Sequence, residues 1–248
     1  MAFFSCIDMK KITYFNDLHD SELKSPEAAV PLIHKNDILS ISVSSLNPDA
    51  SAIFNAPNLH PTASSTAIGA TSQLVGYLVN ENGNIQFPVL GNVEAVGLSL
   101  KQLSDNITKT LSDKKLLVDP IISIRFLNFR VTVLGEVEHP GVIPAPNEKI
   151  SILEALGLAG DLTIYGRRDN VLLIREEDSV KIIKHIDLNS PEILTSPFYY
   201  LKSNDVVYVE PNKNKVRSVS NSRQMLPVLF SALSFLTTVI YLSVYYKK

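Results

Sequence analysis

Apolar positions along this chain fall into short alternating runs, two helical repeats and one long uncharged stretch. In HKNDILSISVSS (34–45), Leu39, Ile41 and Val43 alternate with Ile38, Ser40 and Ser42, a period of two that predicts a strand packed on at least one face. YLV and NIQFPV flank Asn82-Gly83, a dipeptide that favours positive φ, so the spacing predicts a hairpin. Ser99 and Gln102 form a capping-box signature, and Leu100, Leu103, Ile107 and Leu111 follow at helical spacing, predicting a helix over 100–112. Pro120 then introduces the strand IISIRFL. One helix over a small sheet is an α+β unit.

A second unit opens with the strand VTVLGEV and the turn His139-Pro140-Gly141. Ser151 and Glu154 make another capping box, starting a short helix that Gly160 can end. Gly166 to Asn170 turn the chain into VLLIRE, and VKIIKHIDL and SNDVVYVEP complete the unit in a β-grasp-like arrangement. KNDILSIS and SNDVVYVE share an Asn-Asp turn before an alternating strand, in which an Asx side chain caps its own backbone. Two segments show neither pattern. ITYF (12–15) reads as a short strand in a polar leader. Residues 47–73, rich in Ala, Ser, Thr, Asn and Pro, read as a long mobile loop.

The chain ends QMLPVLFSALSFLTTVIYLSVYYKK, uncharged from Met225 to Tyr246. About 22 residues at 1.5 Å each reach roughly 33 Å, enough for the hydrocarbon core of a bilayer, so a transmembrane helix is expected over 225–246. Ser231, Ser234, Thr238, Tyr241 and Tyr245 recur at helical spacing and place five hydroxyls on one stripe, which suits a pore lining or close helix packing. Lys213, Lys215, Arg217 and Arg223 make the preceding 213–224 a basic linker suited to anionic lipid head groups.

With 248 residues, 45% hydrophobic content and a net charge of -2, the chain can bury a core, and no basic stripe argues for nucleic acid. The five histidines are dispersed, and no HExxH, phosphate-binding loop, GxGxxG or GxSxG is present. No catalytic residue, metal ligand or cofactor is therefore assigned, and the protein is read as a non-enzyme. Arg167, Arg168 and Arg175 are candidates for contact with an anionic sugar or a neighbouring subunit, against the alternative of a solvated turn and hairpin edge. Cys6, the single cysteine, follows Ser5 as in a lipoprotein processing site. Five preceding residues are too few for a signal peptide, whose apolar stretch alone takes about 7–15, so the start is expected to lie downstream of the true one.

KNDILSISV with YLVNENGNIQFPVLGNVEAVGLSLKQL resembles the periplasmic domain of the Wza-type polysaccharide export outer-membrane lipoproteins. VTVLGEVEHPGVIPAPNEKISILEALGLAGDLTIYGRRDNVLLIRE resembles the soluble-ligand-binding β-grasp domain that follows it in that family. The resemblance covers nearly all of 10–212, in the family's order, and GEVEHPG with EALGLAGDL is its strongest part. It implies an α+β chain divided into a lipoprotein-like segment (1–32), a polysaccharide export domain (33–127), one β-grasp domain (128–212), the linker and the helix. It also implies a ring homo-oligomer in the outer membrane of a Gram-negative bacterium, with Cys6 as lipid anchor. Its lumen would pass capsular polysaccharide or exopolysaccharide, and its partners would be membrane lipid and an inner-membrane polysaccharide co-polymerase of the chain-length tyrosine kinase type. Family members usually carry Gly before Asp in the first turn; Asn36 stands there here and can adopt the same left-handed backbone. The alternative reading is a membrane-anchored glycan-binding or scaffold protein that forms no channel.

Overall fold

The computed structural model describes residues 13–16, 18–56, 75–177, 180–218 and 221–246, without the side chains of 216–218, 221–226, 228 and 244. In chain order the first unit contains β1 (Ile38–Ser44), α1 (Pro48–Asn55), β2 (Tyr77–Leu78), β3 (Asn84–Phe87), β4 (Gly91–Glu94), α2 (Leu100–Asp113) and β5 (Ile121–Phe126). The alternation in 38–44 places β1 at the centre of an antiparallel sheet of order β2-β1-β5, with Leu39, Ile41 and Val43 buried. The capping box forms as expected: Ser99 and Gln102 bond reciprocally, and α2 buries Leu103, Ile107 and Leu111.

Two expectations for this unit are corrected. Residues 48–55 of the presumed loop form α1, because Asn47 accepts the Ala50 N–H (3.2 Å) and Pro48 sits where a helix has no N–H to satisfy. Asn55 at its end exchanges two 2.8 Å bonds with the backbone of Val43, holding α1 to β1. Residues 57–74 of that stretch lie outside the described residues. The Asn82-Gly83 turn is present, with Gly83 at φ 81°, but it does not join two arms of one ladder. The Asn80 side chain takes the N–H of Asn82 and of Asn84 (both 3.0 Å), and two backbone bonds, Asn80 N–H to the Asn84 carbonyl (2.9 Å) and Gly83 N–H to the Asn80 carbonyl (2.8 Å), close the turn beside it. β2 then pairs with β1, while β3 turns at Pro88-Val89-Leu90 and pairs with β4.

The second unit comprises β6 (Arg130–Gly135), β7 (Gly141–Pro144), β8 (Ile150–Ser151), α3 (Ile152–Leu158), β9 (Gly166–Glu177), β10 (Val180–Ile186), a 3-10 turn at Pro191–Thr195, β11 (Tyr200–Leu201) and β12 (Val206–Pro211). Its main sheet has the order β10-β9-β12-β6-β7, with β12 parallel to β6 and the other pairs antiparallel. The Ser151–Glu154 box caps α3. Gly166 to Asn170, expected as a turn, already belong to β9. Gly135 is needed where β6 meets β12: its φ is 92°, and a Cβ there would sit 2.1 Å from the Val209 carbonyl oxygen.

The two Asn-Asp turns are the same device. Asn36 and Asn204 have φ of 68° and 67°, and Asp37 and Asp205 accept the N–H three residues earlier, from His34 (2.7 Å) and Lys202 (2.8 Å). The junction between the units is closely pinned. Asn128 Oδ1 accepts the Ile38 N–H (2.9 Å), its Nδ2 donates to the Asn36 carbonyl (3.1 Å), and Glu148 Oε1 accepts the Phe126 N–H (3.0 Å).

The described part of ITYF is not a strand: Thr13–Asn16 make a turn with Phe15 at φ 52°, docked on the second unit. The basic linker begins as a helix, α4 (Lys213–Ser218), and is followed by α5 (Asn221–Tyr245), which has Pro227 inside it. Lys215 pairs with Glu136 (3.2 Å) and lies 5.3 Å from the Tyr165 ring centre, so this lysine serves the second unit. Among the described residues no helix is long and apolar enough to cross a membrane. The expected span is helical to Tyr245, but it is interrupted by hydroxyls, and the side chains of Met225, Leu226, Val228 and Val244 lie outside the described residues.

Candidate functional site

The loop after β7 and the start of α3 enclose an open groove of about 450 Å³ in the second unit, lined by Pro144, Pro146, Lys149, Glu154 and Leu158 among others. Local sequence makes it. Pro146 lies in a turn closed by the Glu148 N–H on the Ala145 carbonyl (3.0 Å), Glu148 takes a left-handed φ of 59° and points its carboxylate at Phe126 N–H, and the capping box fixes the first turn of α3. Glu154 is tied down by that box: its Oε2 accepts both the Ser151 N–H (2.7 Å) and the Ser151 hydroxyl (2.8 Å). The backbone N–H first and the hydroxyl second hold its carboxyl below the usual glutamate range, with Lys149 adding to the effect.

Beside the groove, Lys149 Nζ lies 4.4 Å from the centre of the Tyr200 ring, and Tyr199 and Tyr200 meet edge to face at 5.0 Å. The Tyr200 phenol is held below its ordinary range by a hydrogen bond with Ser25 and then by Lys149. Leu158, also lining the groove, is 66% exposed. An open groove with an apolar wall, a fixed carboxylate and an ammonium beside aromatic rings suits transient contact with a passing polar chain. It does not enclose a small molecule, as ligand pockets do. Among the described residues no group of histidine, cysteine or carboxylate side chains is placed to hold a metal ion.

Arg168 and Arg175 are turned inward, unlike the solvated turn and hairpin edge weighed as the alternative for them, while Arg167 stays partly exposed. Arg175 is 5% exposed; its Nε and Nη2 bond Asp205 at 3.0 and 2.7 Å, and Asp205 is 1% exposed. Arg168 is also buried, donating to the carbonyls of Leu162 (3.3 Å) and Thr163 (3.4 Å). Arg167 is half-exposed and forks onto Asp169 (3.0 Å) and Glu210 (3.0 Å). The groove was missed because its parts are two prolines, a capping glutamate and a lysine, each of which also has a purely local explanation.

On α5, Ser231, Ser234, Thr238, Tyr241 and Tyr245 are exposed. Thr238 Oγ1 donates back to the Ser234 carbonyl (2.9 Å), and the Tyr241 and Tyr245 rings stack with centroids 6.2 Å apart. Leu229, Phe230, Leu233, Phe235, Leu236 and Ile240 are exposed as well, each by more than half, so this chain by itself leaves α5 uncovered. Cys6 lies outside the described residues.

Residues 25–127 match the polysaccharide biosynthesis/export protein family, and residues 130–183 match the SLBB domain. The two matches meet within the pinned junction. The chain is thus similar to polysaccharide export proteins over its first unit and to the SLBB domain over most of its second. Two curated relatives are each described as "EPS I polysaccharide export outer membrane protein EpsA": one from Ralstonia solanacearum, 27% identical over 152 residues, and one from Ralstonia nicotianae, 29% identical over 147. Each match covers 58% of this chain and 38% of the relative, so the chain spans well under half the length of these relatives.

Proposed function

We propose that this chain is a subunit of an outer-membrane conduit that passes exopolysaccharide or capsular polysaccharide out of the periplasm. The observation that carries the reading is α5: a 25-residue helix with its described apolar side chains uncovered, attached to two domains of an export family. Exposed apolar surface on this scale marks a face that other molecules cover. In a ring, α5 helices from many copies form the wall of a membrane passage. The stripe of Ser231, Ser234, Thr238, Tyr241 and Tyr245 faces the lumen, and the leucine and phenylalanine side chains face lipid. Thr238 Oγ1 donates to the Ser234 carbonyl and keeps its oxygen lone pairs open as acceptors on that face.

The two units, 33–127 and 128–212, stand in the periplasm, and Cys6 carries the lipid anchor. The groove beside α3 contacts the polymer in transit, and the inner-membrane co-polymerase docks from below. The relatives' outer-membrane description supports this arrangement. Membrane fractionation with graded cross-linking tests it: an outer-membrane ladder ending in one high-mass species is expected. A monomer in the inner-membrane fraction would replace the conduit with an anchored scaffold.

A further inference from the structure

The turn at Thr13–Asn16 occupies a built slot on the second unit. The carbonyls of Leu188 and Asn189 accept the N–H of Phe15 (3.2 Å) and of Asn16 (2.6 Å), the main-chain pairing by which a peptide segment adds to an existing surface. The Tyr14 hydroxyl donates to the Asp161 carboxylate, and the Arg168 guanidinium lies 5.3 Å from the Tyr14 ring centre. Burial first, and then the Asp161 hydrogen bond, push the Tyr14 phenol up, so it stays a neutral donor. Arg168 is 7% exposed, and its buried Nε has no hydrogen-bond partner.

Beyond the slot the chain is held more sparsely, at Ser25 through its hydrogen bond with the Tyr200 phenol. Residues 18–31 form no helix or strand, and Leu18, Leu23 and Val30 are exposed by 42, 46 and 70%. The chain is taken up again at Leu32, bridged to Ser99, and at Ile33, whose N–H bonds the Leu98 carbonyl (2.9 Å). About 16 residues joining the two points reach roughly 50 Å when extended. A unit of about 85 residues is only roughly 30 Å across. The slot of an adjacent copy is therefore within reach. The slot contacts are identical in either arrangement, so exchange between identical chains changes little besides the path of the linker.

We propose that in the assembled protein residues 13–16 dock into the slot of a neighbouring copy, so that each subunit straps the next. The inference rests on the ring reading. Crossing to a second copy also covers the apolar side chains that the linker leaves exposed on its own chain. The test uses full-length protein carrying Cys6→Ser. Asn16→Cys and Asn189→Cys are made in two differently tagged chains expressed together, because the backbone bond between these positions brings them within disulfide range. Mild oxidation is expected to give a mixed-tag band at twice the monomer mass. Tyr14→Ala in the first chain should lower its yield several-fold. If the double variant instead closes within a monomer while the mixed pair gives no band, the strap stays in its own chain and the proposal falls. A double variant that links in neither way refutes the docking itself. Native size is measured on the same sample. A monomer removes the ring reading too, whereas a ring with only internal disulfides removes the exchange alone.

Discussion

Replacing Asp205 with alanine should be among the most costly single changes in the second unit. Its carboxylate receives the Arg175 Nε at 3.0 Å and Nη2 at 2.7 Å, and it accepts the Lys202 N–H at 2.8 Å. Both partners of the pair are essentially dry, with side chains 6% and 1% exposed. Without Asp205, the guanidinium keeps the Tyr200 carbonyl at 3.4 Å, Glu177 at 4.0 Å and the Phe198 ring, its centre 5.5 Å away. Leaving one charge of a buried pair uncompensated costs about 3–5 kcal/mol. The Lys202 N–H sits at a turn that water reaches, so it adds about 1 kcal/mol at most. Asp205→Ala should therefore lower stability by about 3–5 kcal/mol, and Asp205→Asn by less, since an amide oxygen still caps Lys202. The exposed pair Lys101–Asp105 (2.7 Å) is the control: Asp105→Ala should cost under about 0.5 kcal/mol. Urea unfolding of the detergent-solubilised chain, followed by circular dichroism, reads all three. Adding Arg175→Met to Asp205→Ala should recover part of the loss, because the stranded charge goes with it. Strict additivity in that cycle, or a loss below about 1 kcal/mol for Asp205→Ala, would refute the account of a desolvated pair.

Gly135→Ala should cost at least about 2 kcal/mol in the same assay, from its positive φ and the contact with the Val209 carbonyl, with loss of hydrogen-exchange protection in β12. Asn204→Val should cost about 1–2 kcal/mol and Asn204→Gly almost nothing, since only the left-handed backbone is at stake. Glu154 has a depressed folded pKa, so its contribution is present above the unfolded value and is lost as pH falls through the folded one; Glu154→Gln should flatten the acid side of the stability profile. Burial raises the Asp37 carboxyl, so its contribution has the opposite sign and fades as pH rises through its folded value; Asp37→Asn should remove that part of the slope. Charged or bulky aliphatic replacements at Ser234 and Thr238 should reduce surface polysaccharide more than changes at Leu233 or Leu236, and equal tolerance would make α5 an anchor.

Elements whose cause is local were legible in the sequence. Ser99 with Gln102 and Ser151 with Glu154 marked both capped helices, and the Asn-Asp pairs marked two turns of one geometry. Partnerships between distant segments were not. A hairpin dipeptide at 82–83 states that the chain turns, but not that β2 will prefer β1. Arg175 lies in a strand where a charge reads as solvent-facing; only the return of Asp205, 30 residues later, makes it interior. α1 was hidden by the composition of the long stretch around it, although Asn47-Pro48-Asp49 is a helix start when read alone. The export resemblance was legible because it rests on two long ordered segments, whereas the groove depends on a loop fold that no short motif announces.

The junction at Asn128 has a mechanical corollary. One side-chain amide holds the first turn of one unit from both sides, while a glutamate from the other unit grips the adjoining strand. A crossing clamped in this way transmits torque and does not act as a hinge. If a passage built from these chains widens for a polymer, its subunits must tilt as whole blades, as in an iris. The compliance then belongs to the seams between copies, and stiffening one seam should narrow the aperture without altering any single subunit.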